Sequence, residues 1–132
     1  MPGLSDATGT LFLNVLFNGE AVQSISRIWM SLHTADPGGS GANEVGSGVG
    51  YTRVEVTNAF PPAISPRLSN NVAITFPVAT SQYVVTHIGF WESSTEILPD
   101  CFLYSQELAA PVTVAVGAPF SLAVGSVAIF SR

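Results

Sequence analysis

The segment that decides the fold is YVVTHIGFW, residues 83–91. Successive side chains of a strand point to opposite faces, and here both faces are apolar. Ile88 and Phe90 belong to one face, whereas Val85 and Trp91 belong to the other. A strand that is apolar on both faces is typical of the centre of a sheet covered on both sides. We therefore predict a central strand here and work outward from it.

Shorter strand-like segments flank this run and are separated by turn residues. Further strand predictions cover residues 27–34, 51–57, 72–76, 101–104 and 112–116, and a last hairpin joins 120–124 to 127–130. About seven or eight short strands at such spacing predict a mainly β fold. The architecture is then an antiparallel β-sandwich or barrel, jelly-roll-like, and the sequence does not distinguish the two. Because no repeat or boundary is visible, we expect a single domain over residues 1–132.

One short N-terminal helix is predicted over about residues 6–17. Ser5 and Asp6 can cap its start, and Asn18-Gly19 can end it because both tolerate positive φ. The apolar residues expected to face the core at helical spacing are Leu4, Leu11, Val15 and Leu16. Residues 11–17 are also compatible with a strand.

Two loops separate the strands and are candidates for contacts with neighbouring subunits. Residues 35–50 begin with the turn Asp36-Pro37-Gly38-Gly39 and are rich in glycine, while residues 58–70 contain three prolines. Loops on a rigid scaffold commonly carry binding contacts. The residues predicted to contact a partner are Asp36, Pro37, Asn43, Glu44, Arg53, Pro61, Pro62 and Arg67.

Charge is scarce throughout the chain. Hydrophobic residues make up 47% and charged residues 10%, against about a quarter charged in a typical soluble domain. Since a small domain has much surface to cover, we infer that part of it is buried against another subunit. The alternative is a neutral surface rich in Ser, Thr, Asn and Gly. The net charge is −5 and there is no Lys, and because the four Arg are scattered we expect no nucleic-acid binding.

No constellation for catalysis or metal binding is evident. His33, Asp36, Glu44 and His87 match no metal-ligand spacing, so we interpret each histidine as structural. The only cysteine, Cys101, lies in an apolar run and is predicted to be a buried thiol. No nucleophile motif or phosphate-binding loop is present. We predict no enzymatic activity, no metal and no cofactor.

The segment 108–131 carries no charge, which raises the question of a membrane span. Pro111, Gly117, Pro119 and Gly125 interrupt it, so short strands joined by turns are the better interpretation. The N-terminus lacks a basic region followed by an apolar stretch, so no signal peptide is predicted. We expect no membrane association.

Several motifs resemble a recurrent family of small virion structural proteins of tailed bacteriophages. They are LHTADPG (32–38), GANEV (41–45), GYTR (50–53), ITFP (74–77), THIGFW (86–91) and Leu103-Tyr104-Ser105. Members are often labelled tail-fibre proteins, and some are similar to capsid cement or decoration proteins. The resemblance, over about residues 30–131, implies a component assembled into the virion in the host cytoplasm and implies no catalytic residues.

Three functions follow as hypotheses. The first is a cement or decoration protein that forms a homo-oligomer, such as a trimer, and bridges subunits of the major capsid protein. Binding the assembled shell but not its parts would stabilise the shell by mass action. The second is a tail or tail-fibre component for tail assembly or host attachment. The third is a carbohydrate-binding module whose aromatic stripe would comprise Trp29, Tyr51, Tyr83, Trp91 and Tyr104.

Overall fold

The computed structural model describes residues 3–21, 27–63 and 67–130. The elements in chain order are β1 (Gly3–Leu4), α1 (Asp6–Asn18), β2 (Trp29–His33), β3 (Val54–Glu55), β4 (Arg67–Ser69), β5 (Ile74–Thr75), β6 (Tyr83–Trp91), β7 (Phe102–Val114), β8 (Ser121–Leu122) and β9 (Ala128–Phe130). Short 3₁₀ turns cover Ser47–Val49 and Pro99–Cys101. The prediction of a mainly β, antiparallel fold with one short N-terminal helix is confirmed. The described strands form three sheets and no closed barrel.

The strand predicted to be central, β6, lies in the middle of the largest sheet. The strand order there is β1-β7-β6-β2-β3, with all neighbours antiparallel. The register of β6 against β2 runs from Trp29 opposite Trp91 to His33 opposite His87. Every residue of β6 from His87 to Trp91 is buried. Residues 87–91 are therefore covered on both sides, as predicted. Val85, predicted to share a face with Trp91, instead belongs to the same core cluster as Ile88 and Phe90, because the register shifts between Val85 and His87.

The long strand β7 replaces two predicted strands, at 101–104 and 112–116, and that prediction is wrong. β6 pairs with β7 both before and after a register shift, which moves from His87 opposite Glu107 to Val85 opposite Val112. Pro111 lies within this shift. Because proline cannot donate to a β-ladder, it is accommodated at such an irregularity.

The predicted last hairpin, 120–124 with 127–130, is also wrong. β8 pairs with β5 and β9 pairs with β4, so the two strands belong to different small sheets. The buried Asn70 holds them apart: its side chain donates to the Ala123 carbonyl at 3.0 Å and accepts from the Val127 amide at 3.0 Å. Asn70 follows β4, which lies in the segment predicted to be a loop.

The apolar core joins one face of the large sheet to the small sheets. Met30, Leu32 and Phe90 belong to the same buried cluster as Phe76 and Phe120. The Phe76 and Phe120 rings make an edge contact with centroids 5.9 Å apart. Burial of these side chains is the main source of stability in a fold of this size.

The helix α1 has the predicted ends but does not face a core. Ser5 caps its start by accepting from the Thr8 amide at 3.1 Å, and Gly19 ends it at φ 66°. No residue of α1 is buried, and Leu4 in β1 is exposed. The predicted core contacts of Leu4, Leu11, Val15 and Leu16 are therefore wrong. The Ser5 amide donates to the Leu103 carbonyl at 2.9 Å, and this bond holds α1 beside β7 and the Pro99–Cys101 turn, outside the core.

Candidate interaction surface and the buried polar network

The glycine loop, residues 35–50, pairs with the free edge of β2 and crosses the face of the large sheet that carries Trp91. The Val45 amide donates to the Leu32 carbonyl at 2.9 Å, and Nδ1–H of His33 can donate to the Ala42 carbonyl at 2.8 Å. At Gly41, where φ is 85°, a Cβ atom would lie 2.5 Å from the Trp91 ring. Only glycine satisfies both this φ and this close approach. The glycines therefore allow the loop to serve as a second layer over the sheet.

A buried polar chain lies beneath the glycine loop. The indole N–H of Trp91 donates to Ser31 Oγ at 2.8 Å, and Ser31 Oγ lies 2.6 Å from His33 Nε2. If Nδ1 of His33 carries the proton, Ser31 Oγ donates to Nε2. Each polar side-chain atom of Trp91, Ser31 and His33 then has a hydrogen-bond partner. Burial lowers the pKa of His33, which keeps the imidazole neutral as this arrangement requires. His33 is thus a hydrogen-bonded structural histidine in this fold.

The Ser31–His33 contact has the distance of a nucleophile and its base, and sequence analysis did not find it. Catalysis would need a substrate to reach Ser31 Oγ. Ser31 and His33 both have no exposed surface, and the Trp91 indole occupies the hydroxyl. The pair is therefore closed to substrates in this structure. The contact could have been predicted from the spacing of Ser31 and His33, because residues two apart on a strand point to the same face.

A second polar cluster joins the glycine loop to the segment before β3. Glu44 accepts two hydrogen bonds from the Arg53 guanidinium, at 2.9 and 2.8 Å, and one from the Tyr51 hydroxyl at 2.5 Å. Arg53 also donates to the Ser93 carbonyl at 2.8 Å and stacks over the Trp91 ring, with Cζ 4.0 Å from the centroid. Charge-assisted, bidentate pairing of this kind is among the stronger polar contacts in proteins.

The ionisation of this cluster follows from its contacts. Burial alone would raise the pKa of Glu44, but hydrogen bonds from Arg53 and Tyr51 outweigh it and leave the pKa lowered. Burial, followed by the nearby Glu44 charge, raises the pKa of Tyr51. At neutral pH the cluster therefore holds a carboxylate, a guanidinium and a neutral phenol, with every partner in place.

The eight residues predicted to contact a partner fall into two groups. Those with exposed side chains are Asp36, Asn43, Pro61, Pro62 and Arg67. The side chains of Pro37 and Arg53 are buried and Glu44 is half-buried and bonded within the chain, which leaves these three little or no surface for a partner. Residues 64–66 of the predicted loop 58–70 lie outside the described residues.

An apolar surface that sequence analysis missed covers the outer face of α1. Phe12, Leu13, Leu16 and Phe17 are 53, 57, 59 and 78% exposed. Residues at i, i+1, i+4 and i+5 share one side of a helix. The signal was present in the sequence, since no charged residue lies between Asp6 and Glu20 and a helix this apolar must be covered on more than one side.

Further large apolar side chains are exposed outside α1. They are Leu4, Val72, Val78, Val84, Ile97, Leu98, Val112, Val116 and Val124, besides Leu11 at the side of the helix. Single exposed apolar residues need no explanation, whereas a group of them marks a contact surface. Ile97 and Leu98 directly precede the Pro99–Cys101 turn against which α1 packs.

The aromatic residues do not form an exposed stripe. Tyr51, Tyr83 and Trp91 are buried. Trp29 lines a groove of about 550 Å³, while Tyr104 lines a separate apolar cavity of about 260 Å³. A continuous platform for stacking sugar rings is therefore not present among these residues.

Three further features bear on metal binding, on the free cysteine and on membrane association. Within residues 3–21, 27–63 and 67–130, no three His, Cys, Asp or Glu side chains are grouped so that they could hold a metal ion. Cys101 lies in the Pro99–Cys101 turn and is only partly buried, not fully buried as predicted. Partial loss of solvent around the thiol, and then the charge of Glu92, raise its pKa. No helix in the described ranges has the length and apolar character that a membrane span requires.

Comparison with known proteins identifies the family. Residues 3–129 match the family model Gp80, described as podophage GP4 fiber I protein gp80. No curated protein matches the chain. The match covers nearly the whole chain and agrees with the resemblance carried by the motifs between residues 32 and 105. The chain therefore belongs to the Gp80 family, podophage GP4 fiber I protein gp80, and is a structural protein of a phage virion.

Proposed function

We propose that this protein is a structural subunit of a phage tail fibre, held in the virion by apolar contacts with other virion proteins and with further copies of itself. The observation that carries the proposal is the uncovered apolar face of α1 on a chain with few charges. Such a face is costly in water, so it indicates a contact that forms on assembly. The family description, which names a fiber protein, supports the fibre as the location.

A role without catalysis agrees with the polar groups inside the molecule. The Ser31–His33 pair, which has the spacing of a nucleophile and its base, is buried and bonded to Trp91, and the Glu44–Arg53 pair is bonded within the chain. These contacts make the scaffold rigid and present no open site with unpaired chemistry. Rigidity suits a subunit that must repeat the same contacts in many copies.

Capsid cement is the second candidate, and the family resemblance carried by motifs such as LHTADPG (32–38) supports it, because some members of that family are similar to decoration proteins. In that role the protein would form a homo-oligomer, such as a trimer, on junctions of the major capsid protein. It would stabilise the shell by binding the assembled state and not its dissociated parts.

Imaging and quantifying the protein on purified virions separate the two candidates. A fibre subunit should give antibody-labelled density at the tail and a low copy number relative to the major capsid protein. A cement protein should decorate the head at regular positions in copy numbers comparable to that protein. Virions from a phage lacking the gene serve as the control, and absence of the protein from purified particles would contradict both roles.

A further inference from the structure

We propose that the outer face of α1 pairs with the same face of a second copy of this chain, as two antiparallel helices with Leu13 on the two-fold axis. The proposal rests on the proposed function, because it names a partner for the apolar surface that function depends on.

The chemistry of the face suits its own copy better than a different protein. Phe12, Leu13, Leu16 and Phe17 offer no side-chain hydrogen-bonding group and no charge. A heterologous partner is usually selected by complementary charges and polar groups. No charged residue lies on this face, and its exposed polar side chain, Thr10, is a small neutral hydroxyl. A two-fold contact needs only a face that is complementary to itself. Although each copy carries a net charge of −5, the pairing would bring no like charges into direct contact at its centre.

Gly9 provides the shape complementarity. In an antiparallel pair centred on Leu13, the residue four positions before the axis faces the residue four positions after it. Gly9 of one copy would then receive Phe17 of the other, and this contact would occur twice. Gly9 does not have a positive φ, and apart from its chain neighbours and the surrounding helix backbone a Cβ there would meet no described atom within 4 Å. The described residues of the chain therefore give no reason for a glycine in the first turn of α1, where it weakens the helix.

The area of the face is sufficient for a dimer that dissociates on dilution. The exposed fractions of the four large side chains correspond to on the order of 500 Å² per copy. The pair would bury about 1,000 Å² in total, which is close to the lower limit for a specific interface. We therefore expect a monomer–dimer equilibrium in the isolated protein, and a tighter contact where the virion holds two copies side by side.

Sedimentation equilibrium of the full chain over a range of concentrations tests the pairing. Wild type should fit a monomer–dimer equilibrium, and Leu13→Asp should weaken it by about a hundredfold, because two unpaired carboxylates would meet at the axis. The matched control is Val116→Asp, which changes a side chain that is 65% exposed and lies outside α1. This control should leave the dissociation constant unchanged.

A size exchange between Gly9 and Phe17 tests the register. Gly9→Leu should weaken the dimer by about tenfold or more while helix content by circular dichroism is retained, since leucine is a better helix former than glycine. The double variant Gly9→Leu/Phe17→Ala should recover most of the lost affinity, because the large and small residues have exchanged places. Recovery is a readout that a merely structural role of Gly9 would not give.

Several outcomes would overturn the proposal: a monomer at every concentration, a trimer, or a dimer that Leu13→Asp leaves intact. A monomeric wild type whose Leu13→Asp variant is lost from virions would show that another virion protein covers the face. Because location in the particle is measured by imaging, the fibre assignment can stand when the pairing fails, and the pairing can stand when the fibre assignment fails.

Discussion

The glycine loop and the helix α1 are packed in the opposite way from what their compositions suggest. The loop is polar and rich in glycine, yet it forms a layer over the sheet and is tied to it through Ala42, Glu44 and Val45. The helix is almost uncharged, yet none of its residues is buried. The comparison shows that amino-acid composition indicates which surfaces are too apolar to stay in water. It does not indicate whether residues of the same chain or of another molecule cover them. Four predictions test this contrast.

The largest effect is expected where the glycine loop is anchored. Arg53→Leu would leave the Glu44 carboxylate half-buried without its partner and should lower the free energy of unfolding by about 3–5 kcal/mol. The measurement is urea unfolding of the purified chain. The matched control is Arg27→Leu, which removes an exposed ion pair with Glu55 at 3.6 Å and should cost less than about 1 kcal/mol. If Arg53→Leu lowered the free energy of unfolding by no more than Arg27→Leu does, the Arg53–Glu44 pair would not be what anchors the glycine loop.

A pair of glycine substitutions compares the two regions directly. Gly41→Ala should lower the free energy of unfolding by about 2–3 kcal/mol, because φ is 85° and the new Cβ would meet the Trp91 ring at 2.5 Å. Gly9→Ala, measured at a concentration where the chain is monomeric, should raise it by up to about 1 kcal/mol. If Gly41→Ala were tolerated as well as Gly9→Ala, the loop would not be packed on Trp91.

The pH dependence of stability tests the Trp91–Ser31–His33 hydrogen bonds beneath the glycine loop. Burial lowers the pKa of His33 in the folded state, so the unfolded state binds the proton first as the pH falls below about 6.5. Stability should be full above that pH and should decline below it, by at most about 1.4 kcal/mol per pH unit from this group. Unfolding midpoints between pH 8 and 5 measure the decline. His33→Gln should remove this contribution, and an unchanged slope would contradict it.

The smallest effect is expected on the outer face of α1. Phe17→Ser in the monomer should change the free energy of unfolding by no more than about 0.5 kcal/mol, since the side chain is 78% exposed. Phe102→Ala, at a buried phenylalanine of β7, should cost about 3–5 kcal/mol. A large loss from Phe17→Ser would show that α1 is covered within the chain after all.

Local sequence patterns correctly predicted the features that depend only on residues close together in the sequence. The caps at Ser5 and Gly19 and the burial of both faces of β6 from His87 to Trp91 were correct, because each depends on side-chain direction or local φ. The failures involve distant partners. β7 was predicted as two strands, at 101–104 and 112–116, although β6 pairs with it on both sides of the register shift at Pro111. The last hairpin failed because Asn70, more than fifty residues away in sequence, holds the segment between its strands.

The predicted contact residues show the same division. Residues 35–50 form the predicted loop apart from one short 3₁₀ turn, whereas the predicted loop 58–70 contains β4. Burial of Pro37 and Arg53 depends on where the glycine loop folds. Whether the exposed members, such as Asn43 and Arg67, contact a neighbour stays a prediction. The Ser31–His33–Trp91 chain could not be foreseen as a unit, because Trp91 joins it through strand pairing across sixty residues.

By itself, the sequence determined that this is a mainly β virion protein with one capped helix and too few charges to cover its own surface. Only the tertiary structure decided which apolar residues remain exposed on the surface of the protein. The physical reason is that hydrophobic burial is non-directional and can be satisfied by any distant segment, whereas caps and turns depend on adjacent residues. The position of α1 beside β7, with Phe17 turned to solvent, is a result of that long-range choice.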